Sequence, residues 1–581
     1  MRPVRAATAI VALAFAVALI WGAPSASAHA RLLGTSPETG STVKKQPAEV
    51  IFKYDQPVGG TDGAVRVYDS EGDEVDDGYI EHPGGRQSWL GVGLQPNLPD
   101  GTYTATYRVI SADTHIVYGG LVFNLGHASA NGGVSVAGLI GKEESGEITK
   151  LGFGLVRFLD YLSITLMIGG LVFLAFAWRP GLASVRGAES RWADAESAFA
   201  SRTSGLLGAA IALGIVVSML GILLQGASAA GVSLWASLKW SIVEGTLDER
   251  FGTVWILRAI DWAALGLLLA VHRSTPRTRP WLVAPLAVGA AYLASTPAFA
   301  GHASIESPVA VMFPSDFIHV LASSVWVGGV AFLLLVLPAA TRRLEPAERT
   351  RLLLATLARF SPIALGAVAA IAVTGLVQAY IDVRVVADLF DTTYGLLVLA
   401  KMVLLLILIG FGWVNRERII PRLRRLAESL AAPGAPGMLA RRSLRGELTL
   451  MLVVLGITAA LVAYAPPIDA ASGPFSTNTS LGPAELELSV EPAEVGPNQM
   501  HLYLIDAKDG AQFTKTKELT ITASLPAEQI GPLKLQVNDA GPGHYVISGA
   551  QLSPGGTWEL AITDRVSAYK EYSTTISVPI S

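Results

Sequence analysis

The residues able to do metal chemistry in this chain are few and grouped. His29 directly follows Ala26-Ser27-Ala28. That triplet closes a stretch with the three parts of a secretory signal. Arg2 and Arg5 are its positive region, Ala6 to Trp21 its apolar run, and the triplet its cleavage pattern. Cutting after Ala28 makes His29 the first residue of the mature chain. A terminal histidine offers its α-amine and its imidazole Nδ1 to one metal ion and closes a chelate ring. Nitrogen ligands in a tetragonal arrangement suit Cu(II). The segment SADTHIVYGG, residues 111–120, adds Asp113 and His115. Two residues apart in an extended chain, they point to the same side. Together with His29 they supply three nitrogens and one oxygen. The alternative for residues 1–28 is an uncleaved anchor, although the apolar run is short for a membrane span.

A second group sits among apolar stretches: His302, Met312, Asp316 and His319. Asp316 and His319 are three apart and share a helix face. Ionisable residues inside a membrane are costly and mark function. His302 and His319 read as copper ligands, with Met312 or Asp316 as partners. Arg157 with Asp160 and Arg258 with Asp261 read as structural ion pairs, and Lys401 lies somewhat deeper. His82, His272 and His544 read as solvent-facing or interfacial. His127 and the strand residue His501 could touch copper weakly. The chain has nine histidines and no cysteine. Any metal site is therefore left to histidine, carboxylate, methionine and the chain terminus.

These residues need a scaffold, and three textures supply it. Residues 29–126 hold short strand-like runs such as VIFKYDQPV and GTYTATYRVI, separated by Gly, Pro and Asp. They predict a small antiparallel β-sandwich or barrel. Residues 127–148 are small and polar and read as a linker. Residues 149–467 carry eight apolar stretches long enough to cross a bilayer, at about 152–178, 204–229, 252–271, 281–299, 314–338, 359–381, 394–414 and 446–465. Residues 468–581 return to strand-like alternation and predict a C-terminal β-sandwich. Hydrophobic residues are 51% and charged residues 15%, which fits a lipid bilayer as partner. The net charge of −4 argues against nucleic acid. No phosphate-cradling GxxxxGK occurs, so the chain does not look ATP-driven.

Charge sets an orientation. With the first β domain outside, the inner loops 179–203, 272–280, 341–358 and 415–445 hold 19 Arg or Lys. The outer loops hold 3. Eight spans then place both β domains on the outer side of the plasma membrane. An internal repeat is also visible at an offset of 159 residues. Phe158, Leu162, Gly169-Gly170 and Phe173-Leu174 match Phe317, Leu321, Gly328-Gly329 and Phe332-Leu333. Four helices per unit make it a parallel 4+4 repeat, with a shared interface. At the position of Asp160 the second copy carries His319.

HARLLGTSPETGSTVKKQPAEVIFKYDQPV and SADTHIVYGGLVFNLG resemble the opening and closing segments of the CopC family of extracytoplasmic copper-binding proteins. GHAS (301–304), IHVLASSVWVGG (318–329), ARFSPIALG (358–366) and KMVLLLILIGFGWVNR (401–416) resemble helix signatures of CopD. GPGHYVISGAQLSPGGTWEL (541–560) is similar to YtkA-like β-sandwich domains. The whole resembles a CopC–CopD fusion. The resemblance implies Cu(II) at His29, Asp113 and His115. The methionine-rich Cu(I) segments of some CopC proteins are absent, so a second, softer site is not expected in this domain. It also implies a non-enzymatic role: capture of Cu(II) outside and delivery to or across the plasma membrane, in copper uptake, homeostasis or resistance. Two alternatives stand beside it. One is a membrane-anchored relay or assembly factor for a cuproenzyme, with the C-terminal domain docking an extracytoplasmic copper protein. The other is a copper-dependent oxygenase, which would need a flat aromatic substrate face.

Overall fold

The structure is a computed structural model. It describes residues 30–111 except 31 and 62, residues 116–127, isolated positions within 129–139, and residues 147–580. Within the last stretch 275–279, 306–307, 384, 465, 468–474, 492, 494, 508–511 and 542 are not described.

The first β domain contains β1 (Leu32–Ser36), β2 (Thr42–Val43), β3 (Glu49–Tyr54), β4 (Val65–Tyr68), β5 (Asp76–Glu81), β6 (Trp89–Leu94), β7 (Gly101–Ile110) and β8 (Ile116–Leu125). They form two four-stranded sheets, β1-β3-β6-β5 and β2-β8-β7-β4. The alternation in EVIFKY puts Val50, Phe52 and Tyr54 into the core. They meet Tyr103, Tyr107, Leu121 and Phe123 of the other sheet there. β7 alternates less plainly, because its threonines are buried too: Thr102, Thr104 and Thr106 expose 2% or less. The segment read as a linker accounts for two of them. Ser129 exchanges two hydrogen bonds with Thr102, and the Thr104 hydroxyl donates to the Val134 carbonyl at 2.9 Å.

Among the described residues, eight helices long and apolar enough to cross a membrane follow: α1 (Leu151–Ala183), α2 (Ser190–Ala229), α3 (Arg250–His272), α4 (Val283–Ala300), α5 (Val309–Thr341), α6 (Pro346–Asp382), α7 (Thr393–Glu428) and α8 (Gly434–Leu461). Each matches one expected span, but α2, α6 and α7 run well beyond the apolar stretch. Their extensions carry many of the Arg and Lys of the basic loops, so those loops are largely helical. The hydrophobic pattern marks only the part of a helix that meets lipid. Between two of these extensions, Glu348 accepts from Arg191 Nε at 2.8 Å and from Trp192 Nε1 at 3.2 Å.

The repeat has a physical counterpart. Gly169 of α1 and Gly328 of α5 are repeat partners, and a Cβ on either would collide with the backbone of the other helix. Glycine is required there because helix axes can approach this closely only without side chains. Phe173 and Phe332, also repeat partners, pack with ring centroids 5.8 Å apart.

The C-terminal domain is a second sandwich. One sheet orders as β14 (Asn538–Gly541), β15 (His544–Leu552), β11 (Gly496–Asp506), β10 (Ala484–Glu491) and β9 (Phe475–Leu481). The other orders as β13 (Ile530–Leu535), β12 (Glu518–Leu525), β16 (Gly556–Ser567) and β17 (Lys570–Ile580). Trp558, Leu488, Leu502 and Ile562 fill the space between them.

Both β domains and residues 223–249 belong to one compact unit. Two carboxyls sit at its seams. Glu491 of β10 lies beside Tyr107 at Gly119, and Glu249 lies against Gly59. Burial pushes each up to about 7. A carboxyl raised in the folded state favours folding while protonated, so its contribution is present below pH 4.5 and lost as pH rises to about 7. The protein should therefore melt at a higher temperature at pH 5 than at pH 8, by on the order of 5 °C for this unit. The double variant E491Q/E249Q should flatten that difference. An unchanged pH dependence in the variant would reject the assignment.

Candidate metal centres

His29, Asp113 and His115 lie outside the described residues. Their flanks are described. The Ala30 N–H donates to Ser111 Oγ at 2.9 Å, and Gln56 Nε2 donates to the same oxygen at 3.3 Å. Ala30 and Ser111 are both buried. This bond holds the residue after His29 beside the residue two before Asp113. β7 and β8 pair from Gly101↔Leu125 to Ile110↔Ile116. Asp113 and His115 thus fall in the short connection between the paired ends Ile110 and Ile116.

In the membrane-spanning part, the second half of the repeat builds a polar ladder between two antiparallel helix faces. Met312, Asp316 and His319 share one face of α5, and Thr374, Gln378 and Asp382 share one face of α6. The rungs are explicit. His319 Nδ1 is 2.9 Å from Thr374 Oγ1, and Gln378 Nε2 donates to Asp316 Oδ1 at 3.4 Å. Met312 is buried with Ala298, Ala303, Val311 and Ile381. Asp382 accepts from Tyr394 of α7 at 2.7 Å. Lys401 of α7 lies within electrostatic reach of Asp316, Asp382 and His319.

The tautomer of His319 follows from its partner. Thr374 Oγ1 gives its hydrogen to the Ala370 carbonyl at 2.7 Å. It can therefore only accept from His319, whose Nδ1 carries the proton. The lone pair is on Nε2, the nitrogen that a metal would take. Met312 stands seven residues from His319, about 10 Å along the axis. The two suit successive positions of one ion rather than a shared shell. His302 lies in the short turn His302–Ser304 between α4 and α5, and its side chain is outside the described residues.

The first half fills the equivalent positions differently. Asp160 of α1 accepts from Arg258 of α3 at 2.6 Å, with both side chains 2% exposed. The expected pairing within each helix is thus replaced by one bond across two helices. Arg157 stacks over Phe153 at 4.0 Å, and Arg258 over Trp255 at 4.4 Å.

Among solved structures, residues equal to 17% of this chain resemble CopC from Methylosinus trichosporium OB3b. The identity is 27%, the TM-score 0.15, and 93% of that chain is covered. PcoC, a methionine-rich copper resistance protein from Escherichia coli, matches at 21% identity and TM-score 0.14, over 99% of its length and 17% of this chain. Residues 32–126 match the CopC domain family, residues 148–311 the copper resistance protein D-like N-terminal domain, and residues 354–461 copper resistance protein D, CopD. This is a chain with CopC and CopD domains. The copper transport protein CutJ of Bacillus subtilis (strain 168) is 29% identical over 501 residues, 85% of each chain. Copper resistance protein D of Pseudomonas syringae pv. tomato is 27% identical over 319 residues, covering 54% of this chain and 97% of that one. The matches to these copper resistance domain families, with eight candidate spans, support copper handling by a multi-pass membrane protein.

The CopD ladder contains residues that the sequence reading passed over: Thr374, Gln378, Asp382 and Tyr394. The i, i+4, i+8 spacing of the first three was a usable signal, although threonine and glutamine are unremarkable inside a helix. The other histidines also sort differently. His82 Nδ1 lies 2.6 Å from the Trp89 carbonyl. His127 stands at the surface, 3.3 Å from Asp100. His544 is not solvent-facing: it exposes 1% and touches His501.

Proposed function

We propose that the CopC domain captures Cu(II) outside the cell through the mature N-terminal His29 with Asp113 and His115. The CopD domain then takes copper at its outer end and passes it to or across the plasma membrane. His302, Met312, Asp316 and His319 serve as successive ligands there. Both β domains lie on the outer side, a placement supported by the excess of Arg and Lys in the opposite loops. The observation that carries this reading is the joining of a CopC domain to a CopD domain that holds a membrane-depth histidine, His319, hydrogen-bonded through Nδ1 to Thr374. Further support comes from the Ala30–Ser111 hydrogen bond, which gathers the flanks of the terminal-histidine site. Copper added to sealed right-side-out vesicles containing the protein should appear inside, above the level of protein-free vesicles. Copper that binds but never crosses would reject transport. It would leave the membrane-anchored relay for an extracytoplasmic copper protein as the function.

A further inference from the structure

The C-terminal sandwich holds two histidines that this route does not use. In β11 the alternation sends Met500, Leu502 and Leu504 into the core, and His501 and Tyr503 to the opposite face. An antiparallel sheet commonly leaves that face to water. Here it is covered: His501, Tyr503 and His544 expose 4%, 6% and 1%. Val546, on the same face, has its Cγ1 3.9 Å from where a Gly40 Cβ would stand. Glu491 on that face reaches Gly119 and Tyr107. Gly40, Tyr107 and Gly119 belong to the first β domain, so the histidines lie on the sheet face turned toward the domain assigned to Cu(II) capture.

Their geometry is specific. His501 Nδ1 is 3.2 Å from His544 Nε2, and the ring planes differ by only 11°. Tyr503 stacks on His544 at 4.2 Å and 2°, which fixes the tilt of that ring. His544 Nδ1 is buried and has no hydrogen-bond partner among the described residues. Whichever ring holds the shared proton, His544 keeps one unsatisfied nitrogen, at a cost of about 1–3 kcal/mol. Stability alone gives no reason for such a pair.

We propose that His501 and His544 form a two-coordinate Cu(I) site, an inference that rests on the copper-handling reading above. Burial lowers His501 to about 4 and His544 well below the ordinary histidine range, so both rings are neutral, the form that binds metal. Copper takes the place of the proton between the rings. That proton moves to the outer nitrogen of the ring that held it, His501 Nε2 or His544 Nδ1. No net proton leaves, and copper enters and stays as Cu(I), with no electron transfer. Two metal–nitrogen bonds of about 2.0 Å need the facing nitrogens about 4 Å apart, so the rings part by about 0.8 Å. Ions that want four ligands are poorly served. Clusters of three or more His, Asp or Glu suited to a metal are absent among the described residues. Met500 points into the core, away from the pair.

The test titrates the full-length, detergent-solubilised protein anaerobically with Cu(I) against a colorimetric Cu(I) chelator, and separately with Cu(II). H501Q and H544Q should each lose one equivalent of tight Cu(I) and keep the Cu(II) uptake of the parent. H501M, which supplies a thioether instead, should regain Cu(I), whereas H501L should not. This contrast separates ligand loss from misfolding. X-ray absorption of the Cu(I) difference between parent and H544Q should show two nitrogen neighbours. Equal Cu(I) stoichiometry in parent, H501Q and H544Q, with Cu(II) binding intact, overturns this site and leaves the copper reading standing. A parent protein that binds neither Cu(II) nor Cu(I) overturns both.

Discussion

One glycine placed ahead of His29 is expected to weaken Cu(II) binding by about a thousandfold, roughly 4 kcal/mol. The imidazole, Asp113 and His115 would all remain. What is lost is the five-atom relation between the α-amine and Nδ1 of the same residue, which only a terminal histidine provides. The amine would move one residue away and become an ordinary flexible terminus. Ser111→Ala should have a smaller effect in the same direction, about tenfold, because Ser111 Oγ accepts from the Ala30 N–H and fixes the exit of the terminal residue. The measurement is competition titration of Cu(II) on the protein processed in cells, with N-terminal sequencing of the same sample. A glycine-extended protein that binds Cu(II) like its parent would refute the chelate. So would a mature chain that starts anywhere other than His29.

The sequence carried the architecture well because each part speaks through its own periodicity. Alternation in EVIFKY and AELELSV marks strands with one face in a core. Eight apolar runs mark lipid-facing helices. The Gly169/Gly328 correspondence pointed to a shared interface, and these glycines meet. Helix lengths were less legible, because lipid contact ends before the helix does: α2 begins at Ser190, whereas its apolar run begins near 204. Burial of polar faces was hidden for a different reason. Thr102, Thr104, His501 and Tyr503 sit on sheet faces that look exposed in one strand's pattern, and what covers them comes from distant sequence. The ladder on α6 was missed likewise. Thr374 and Gln378 gain their role from a partner helix about sixty residues earlier, and no local signal records that pairing.

His319→Ala should abolish copper accumulation in cells that depend on this protein, and His302→Ala should reduce it strongly. The more discriminating change is one atom away. Thr374→Val preserves shape but removes the oxygen that accepts from His319 Nδ1–H. The imidazole would then have a buried donor without a partner in a membrane interior, where such a group is costly. It would also lose the bond that keeps the lone pair on Nε2. Loss of an orienting partner of this kind lowers metal affinity or activity by about 10–100-fold. Thr374→Ser keeps the hydroxyl, which can still donate to the Ala370 carbonyl and accept from His319, so it should stay close to wild type. A merely structural role for Thr374 predicts that valine, which fills the same volume, is tolerated as well as serine. Cellular copper is measured with the amount of inserted protein confirmed for each variant. If His319→Ala and His302→Ala both accumulate copper like wild type, the ladder is not the route. The buried Asp160–Arg258 pair of the first half, at the repeat position of His319, then becomes the place to look.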